Sequence, residues 1–219
     1  CQVKFEGRGW SVPGVPAIVF DDIVFNALTS DTQLTVTAMD AKVAGGTLKG
    51  SLRASWSGTM RVDGDFSISS AKVQTLLPLF TPDFSAAGVI NMNGTYSMQA
   101  ANYGTLYGNP RVDATFTVTG GELSNVDLVR AIQSPSPTGA RGGRTKFDTL
   151  SGNIGVADHR IAYRNLKLVS GPVNGSGNVD VIGGGELSGR ISAEVGSKDL
   201  VVARGSLGVT GSVRDPVLK

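Results

Sequence analysis

Apolar and polar residues alternate with a period of two along most of the chain, the pattern of strands that bury one face and wet the other. Leu48, Leu52, Ala54 and Trp56 interleave with Lys49, Ser51, Arg53 and Ser55. Met60, Val62, Phe66 and Ile68 interleave with Thr59, Arg61, Asp63, Asp65 and Ser67, and Trp56-Ser57-Gly58-Thr59 supplies the turn between the two runs. Ile90, Met92, Tyr96 and Met98 repeat the pattern, as do Val112, Ala114, Phe116 and Val118. It continues through Leu150, Ile154 and Val156, Ile161 and Tyr163, Leu166 and Leu168, Val179 and Val181, then Leu187, Ile191, Ala193 and Val195, and Leu207 and Val209. These runs predict about a dozen strands, mostly antiparallel neighbours because short turns separate them.

Two stretches break to a helical rhythm. Val73, Leu76, Leu77 and Phe80 follow Ser69-Ser70, and Val126, Val129 and Ile132 follow Ser124, with Asp127 three residues on as in a capping box. Each predicts a helix of about nine residues. Gly45-Gly46-Thr47-Leu48, Gly120-Gly121-Glu122-Leu123 and Gly184-Gly185-Glu186-Leu187 repeat one turn-and-strand entry, a weak internal repeat of hairpins. Residues 134–146, rich in Ser, Pro, Gly and Arg, have linker composition and predict a flexible loop. Arg130, Arg141, Arg144 and Lys146 gather on and beside it with no acid among them, which makes them candidate contacts for anionic lipid headgroups.

A dozen strands at about 4.8 Å spacing make a sheet roughly 58 Å across, whereas a nine-residue helix is only about 13 Å long. Two such helices do not cover the apolar face, so it meets another sheet, closes into a barrel, or curls into a trough. Glycines on the apolar register, Gly64, Gly94, Gly152, Gly175, Gly177 and Gly189, favour strong curling. The expected fold is a mainly β, strongly curved antiparallel sheet forming an apolar groove, with two short helices, in a single domain over 1–219. Alternation alone slightly favours a β-sandwich whose alternating residues fill a closed core; the resemblance described below is what moves the expectation to the groove.

Of 219 residues, 40% are hydrophobic, 17% charged and 30 are glycine, a glycine share about twice the average. The net charge of +2 and the lack of a basic, aromatic-rich stripe argue against a nucleic-acid partner. One cysteine, Cys1, and one histidine, His159, exclude an internal disulfide framework and a zinc site built from two or more such ligands. No G-x-S-x-G, Walker A, H-E-x-x-H or calcium-loop pattern occurs, so neither an enzyme nor a cofactor is expected. His159 reads as an exposed turn residue. Asp21-Asp22 and Asp63-Gly64-Asp65 are candidate paired acids for glycosidase-type chemistry, but the second pair alternates with the apolar register and so points to solvent. Trp56 follows the apolar register and reads as core or lining. The abrupt opening at Cys1 and ending at Lys219 read as a fragment of a larger chain.

Thr145-Lys146-Phe147-Asp148-Thr149-Leu150-Ser151-Gly152, followed by Ile161 to Gly171 and by Asn174-Gly175-Ser176-Gly177-Asn178-Val179-Asp180, is similar to the C-terminal region of AsmA-family proteins. Gly121 to Leu128 resembles that family's strand leading into a short helix, and Gly208 to Pro216 its terminal strand. The resemblance spans roughly residues 45–219, best after 115; Lys146 stands where the family commonly has Pro, and the Pro/Arg-rich loop is this sequence's own. The resemblance implies a periplasmic β-groove, attached to the inner membrane by a segment outside this chain, that conducts phospholipid or another acyl-chain lipid in outer-membrane biogenesis, with further envelope proteins as partners. Leu52, Trp56, Met60, Val62, Phe66, Ile68, Ile90, Met92, Phe116, Val118, Ile154, Val156, Leu168, Val179, Ile191 and Val209 are the candidate lining. Two other readings stand beside it: a structural or adhesive β-sandwich or solenoid module, and a chaperone offering its sheet edge to outer-membrane protein strands.

Overall fold

The computed structural model describes residues 1–219 except 14, 82, 198 and 199, with the backbone alone at 15–17 and 197. Among the described residues the chain forms thirteen strands and two short α-helices. The strands are β1 (Gln2–Val12), β2 (Val15–Thr29), β3 (Gln33–Val43), β4 (Gly46–Ser55), β5 (Met60–Lys72), β6 (Ala86–Ala100), β7 (Arg111–Ser124), β8 (Arg144–Ala157), β9 (Arg160–Ser170), β10 (Val173–Ile182), β11 (Glu186–Ser197), β12 (Leu200–Gly211) and β13 (Pro216–Leu218). Helix α1 (Val73–Phe80) joins β5 to β6, and α2 (Leu128–Gln133) lies between β7 and β8. All thirteen strands belong to one antiparallel sheet in chain order, and the sheet does not close: β1 and β13 are its two edges.

Each pairing adds about 20–25° of twist of one hand, so strands five or six apart are turned by roughly 100–150° and opposite strand ends face each other across the concave side. Three ties mark this coiling. The Tyr103 hydroxyl, in the 3₁₀ turn Tyr103–Gly108 between β6 and β7, donates to the carbonyl of Pro13 at the tip of the first hairpin. Ala140, beyond α2, exchanges two backbone hydrogen bonds of 2.7 and 3.0 Å with Leu218. Arg214 Nη2, between β12 and β13, lies 2.9 Å from Asp83 Oδ2, just after α1.

The coiling depends on small residues inside the curve. Gly64 pairs with Tyr96, and a Cβ there would lie within 3.0 Å of the Ser51 carbonyl oxygen and of the tyrosine hydroxyl. Tyr96 instead lies over the glycine, and its hydroxyl donates to that carbonyl at 3.0 Å. Gly94, opposite Phe66 on one side and Ala114 on the other, is pressed equally close to the Asp113 carbonyl, and Gly177 and Gly189 repeat the close approach. Gly152 meets the movable Leu166 side chain, and Gly175 has ordinary van der Waals room.

Both helices join strands at the same end of the sheet and cover the apolar face there. Helix α2 is shorter than its periodicity suggests, and its N-cap is Asp127, whose Oδ1 accepts from the Arg130 amide at 2.9 Å. Ser124 closes β7 instead of capping the helix, because the strand keeps its ladder with β8 to that residue. Leu128, Ala131 and Ile132 bury against Val118, Phe147, Leu207 and neighbours in a large core built from the C-terminal half. Thr145, the buried polar residue of this core among the described residues, accepts from the Leu128 amide and donates to the Val126 carbonyl. A second, smaller core gathers Phe20, Ile23, Ala41 and Val43 with Phe5, Trp10 and Phe25, whose rings stack edge-on or face-on at centroid distances of 4.9–6.1 Å. Helix α1 contributes to both: Leu76 to the smaller core, Val73 and Leu77 to the larger.

On the convex face Asp180 receives Arg160 at 2.5 Å and Arg164 at 2.7 Å. The Arg160 hydrogen bond, opposed by partial burial and aided by Arg164, holds its carboxyl below the usual aspartate range. A depressed folded-state pKa contributes stability above the unfolded value of about 3.9 and loses it as pH falls through the folded one. Asp180→Asn is therefore expected to lower the urea midpoint at pH 7, and the deficit should shrink in urea titrations as the pH is lowered from the usual aspartate range through the depressed folded-state value. Gly64→Ala is expected to destabilise by about 1–3 kcal/mol because the added methyl meets fixed backbone. Gly175→Ala, with room for the methyl, should leave the urea midpoint unchanged or raised.

Candidate functional site

The sixteen candidate lining positions fall into three groups. Phe116, Val118, Leu168 and Val209 are buried in the larger core, and Ile90, Met92, Ile154, Val179 and Ile191 pack against it. Leu52, Met60, Val62, Phe66, Ile68 and Val156 belong to neither core. Of these six only Val62 is buried; the rest are half-buried. Trp56 stands past the end of β4, 39% exposed, with its indole N–H donating to the Asp31 carbonyl at 2.7 Å, so it marks the rim and not the floor of the concave face.

The six residues form part of a continuous apolar strip over β4 to β8. Ala54, Val62 and Met98 are direct cross-strand partners, and Tyr96, Val112 and Val156 make a second row beside them. Met98 and Val112, half-buried on the same register, complete the strip although neither is among the candidate positions. Most of the strip lies toward the strand ends opposite α1 and α2, where helical cover is missing. The 3₁₀ turn after β6 meets this end and buries Leu106 to 2% exposure, with Tyr103 tied to Pro13 just before it.

The strip is electrically quiet. Burial, with Asp65 and Asp63 adding to it, pushes the Tyr96 phenol up to about 12, so it remains a neutral donor. Tyr107, beside Tyr103 at 3.3 Å, is raised too, by burial first and by that hydrogen bond second. Asp65 sits on the convex register, where it accepts from the Ser51 hydroxyl at 2.5 Å. His159 is exposed in the β8–β9 turn with a left-handed backbone. Among the described residues no three His, Cys, Asp or Glu side chains converge in a way that would hold a metal ion.

The four candidate headgroup cations are divided among separate settings. Arg141 pairs with Asp215, and Arg144 Nη1 lies 3.5 Å from Glu122 Oε1. Arg130 is exposed on α2, and Lys146 is exposed on β8, beside a shallow surface hollow of about 430 Å³ shared with Glu122, Asp148 and Ser170. The irregular segment is also shorter than its composition suggests. It ends at 143, because Arg144, Thr145 and Lys146 pair with Ser124, Leu123 and Glu122 of β7, and Ala140 is fastened to β13.

Two features of the concave face escape a reading of the sequence. One is the reach of α2, whose Leu128, Ala131 and Ile132 fill the C-terminal part of the trough; their spacing on one helix face was the available signal. The other is the set of ties across the concavity, which join residues as distant as Pro13 and Tyr103 and leave no mark in local pattern. Comparison with protein-family models, with curated proteins and with solved structures finds no match to this chain.

Proposed function

We propose that this domain binds the acyl chains of a phospholipid, or of another acyl-chain lipid, along the strip lined by Leu52, Met60, Phe66, Ile68, Met98 and Val156. The observation that carries the reading is a contiguous run of half-exposed apolar side chains on the concave side of an unclosed sheet, between two cores that are already filled. Transfer of an acyl chain out of water is favourable by about 0.8 kcal/mol per CH₂, so such a strip takes up tails without any reactive group. The five strands β4 to β8 span about 19 Å, a little more than the roughly 15 Å of one leaflet of hydrocarbon. The neutral Tyr96 and the absence of inward charges along the strip suit an uncharged chain.

The resemblance to AsmA-family proteins supports an envelope setting for this activity. On that reading the domain works in the periplasm, is held to the inner membrane by a segment outside this chain, and conducts lipid in outer-membrane biogenesis alongside other envelope proteins. On this reading the headgroups stay at the wet rim of the strip.

Organic extraction of the purified protein followed by mass spectrometry should recover phospholipid, and a fluorescent acyl-chain probe should bind the stripped protein. Phe66→Asp and Ile68→Asp are expected to weaken probe binding at least tenfold, roughly 1.4 kcal/mol or more, while the circular dichroism spectrum stays that of the parent. Val118→Asp and Leu207→Asp, in the filled core, should instead unfold the protein. Lipid-free protein that binds no probe would establish the closed structural module in place of a groove.

A further inference from the structure

The convex face of β9 to β11 carries a grid of hydrogen-bond donors that neither the cores nor the apolar strip uses. Lys167 stands opposite Ser176 and Ser176 opposite Ser192; two residues along the strands, Asn178 stands opposite Arg190. All five side chains are exposed on the outward register, because Gly175, Gly177 and Val179 of β10 and Ile191 and Ala193 of β11 take the inward one. A bulge in β9 shapes the middle of the grid. Between the pairs Tyr163–Val179 and Leu166–Gly177, β9 spends one residue more than β10, and Asn165 there is left-handed with φ of 52°. Its backbone N–H donates to Asn178 Oδ1 at 2.9 Å, which fixes that carboxamide and leaves Nδ2 as its donor toward solvent. Charge in and beside the grid is lopsided. The bordering acids are engaged, Asp180 by Arg160 and Arg164 and Glu194 by Arg204, while among the described residues Lys167 and Arg190 form no ion pair. Five cations thus face two acids.

We propose that this grid binds a phosphate group. Arg190 grips two of its oxygens through the guanidinium fork, and Lys167 supplies a second positive charge from the opposite corner. Ser176, Ser192 and Asn178 Nδ2 donate between them. A strand spacing of about 4.8 Å and a rise of about 3.4 Å per residue put the Cα atoms of Lys167 and Arg190 roughly 12 Å apart on either side of β10. One extended lysine and one extended arginine close that gap from its two ends. A tetrahedral oxyanion suits the grid better than a carboxylate does, because donors approach from three strands and two carboxylate oxygens would leave some of them idle. The site lies on the opposite face of the sheet from the strip, so the inference is independent of acyl-chain binding.

Amide NMR of isotope-labelled protein, titrated with inorganic phosphate and separately with sodium chloride at matched ionic strength, tests this. Saturable shifts are expected at Lys167, Ser176, Asn178, Arg190 and Ser192 with phosphate and not with chloride. Arg190→Gln and Lys167→Gln should each weaken phosphate binding at least fivefold without moving the urea midpoint, since both side chains are exposed. Arg53→Gln, at an exposed position of β4, should bind as the parent does. Flotation with phosphatidylcholine vesicles containing phosphatidic acid identifies the source of the phosphate. Parent that floats while the Lys167→Gln/Arg190→Gln double variant does not marks a lipid headgroup; equal flotation of the two marks a soluble phosphate compound. The absence of saturable shifts at these five amides, equal shifts with chloride, or an affinity unchanged in both glutamine variants overturns the proposal.

Discussion

A sheet with one apolar face is stable in water only when something covers that face, and here the means of cover are scarce. Among the described residues the thirteen strands follow one another across the sheet in chain order, and the helices that cross the concave side have eight and six residues. The sheet resolves the shortage by covering itself. Accumulated twist turns distant strands toward each other, glycines let the backbones draw close, and large side chains from neighbouring strands occupy the space the glycines leave. Tyr96 over Gly64 shows both parts of this arrangement in one pair, since the ring that fills the gap also ties its hydroxyl to the opposing carbonyl.

The cover is uneven, and the unevenness is where function enters. Helix α2 with the segment beyond it fills the C-terminal part of the concavity, and the aromatic cluster of β1 and β2 fills the N-terminal part. Between them the inward residues of β4 to β8 keep part of their surface in contact with water. On the proposed reading, this contiguous strip left half-exposed beside two filled cores is where an acyl chain lies.

The broad fold was legible in the sequence because a period of two is a local property. Apart from Trp56, which stands past the end of β4, the runs from Leu48 to Val209 sit on the inward register as the alternation requires, the turn at 56–59 falls between β4 and β5, and both helices lie where the rhythm changes. Curvature was legible as well: Gly64, Gly94, Gly177 and Gly189 each stand where a side chain would strike a neighbouring strand. What escaped depends on long-range geometry. Nothing local says that Asp127 rather than Ser124 caps α2, since the choice follows from how far the β7–β8 ladder runs. Nor does composition reveal that Arg141 and Arg144 are occupied by Asp215 and Glu122, one of them distant in sequence. The division of the lining into filled and unfilled parts likewise follows from where α2 comes to rest.

Methyl-detected NMR of protein labelled at Ile, Leu, Val and Met, titrated with a short-chain phospholipid, examines the central claim at the level of single side chains. Saturable shifts are expected at the methyls of Leu52, Met60, Ile68, Met98 and Val156, with Val118, Leu187 and Leu207 in the filled core unmoved. Shifts confined to the core methyls, or none anywhere at saturating lipid, would contradict it.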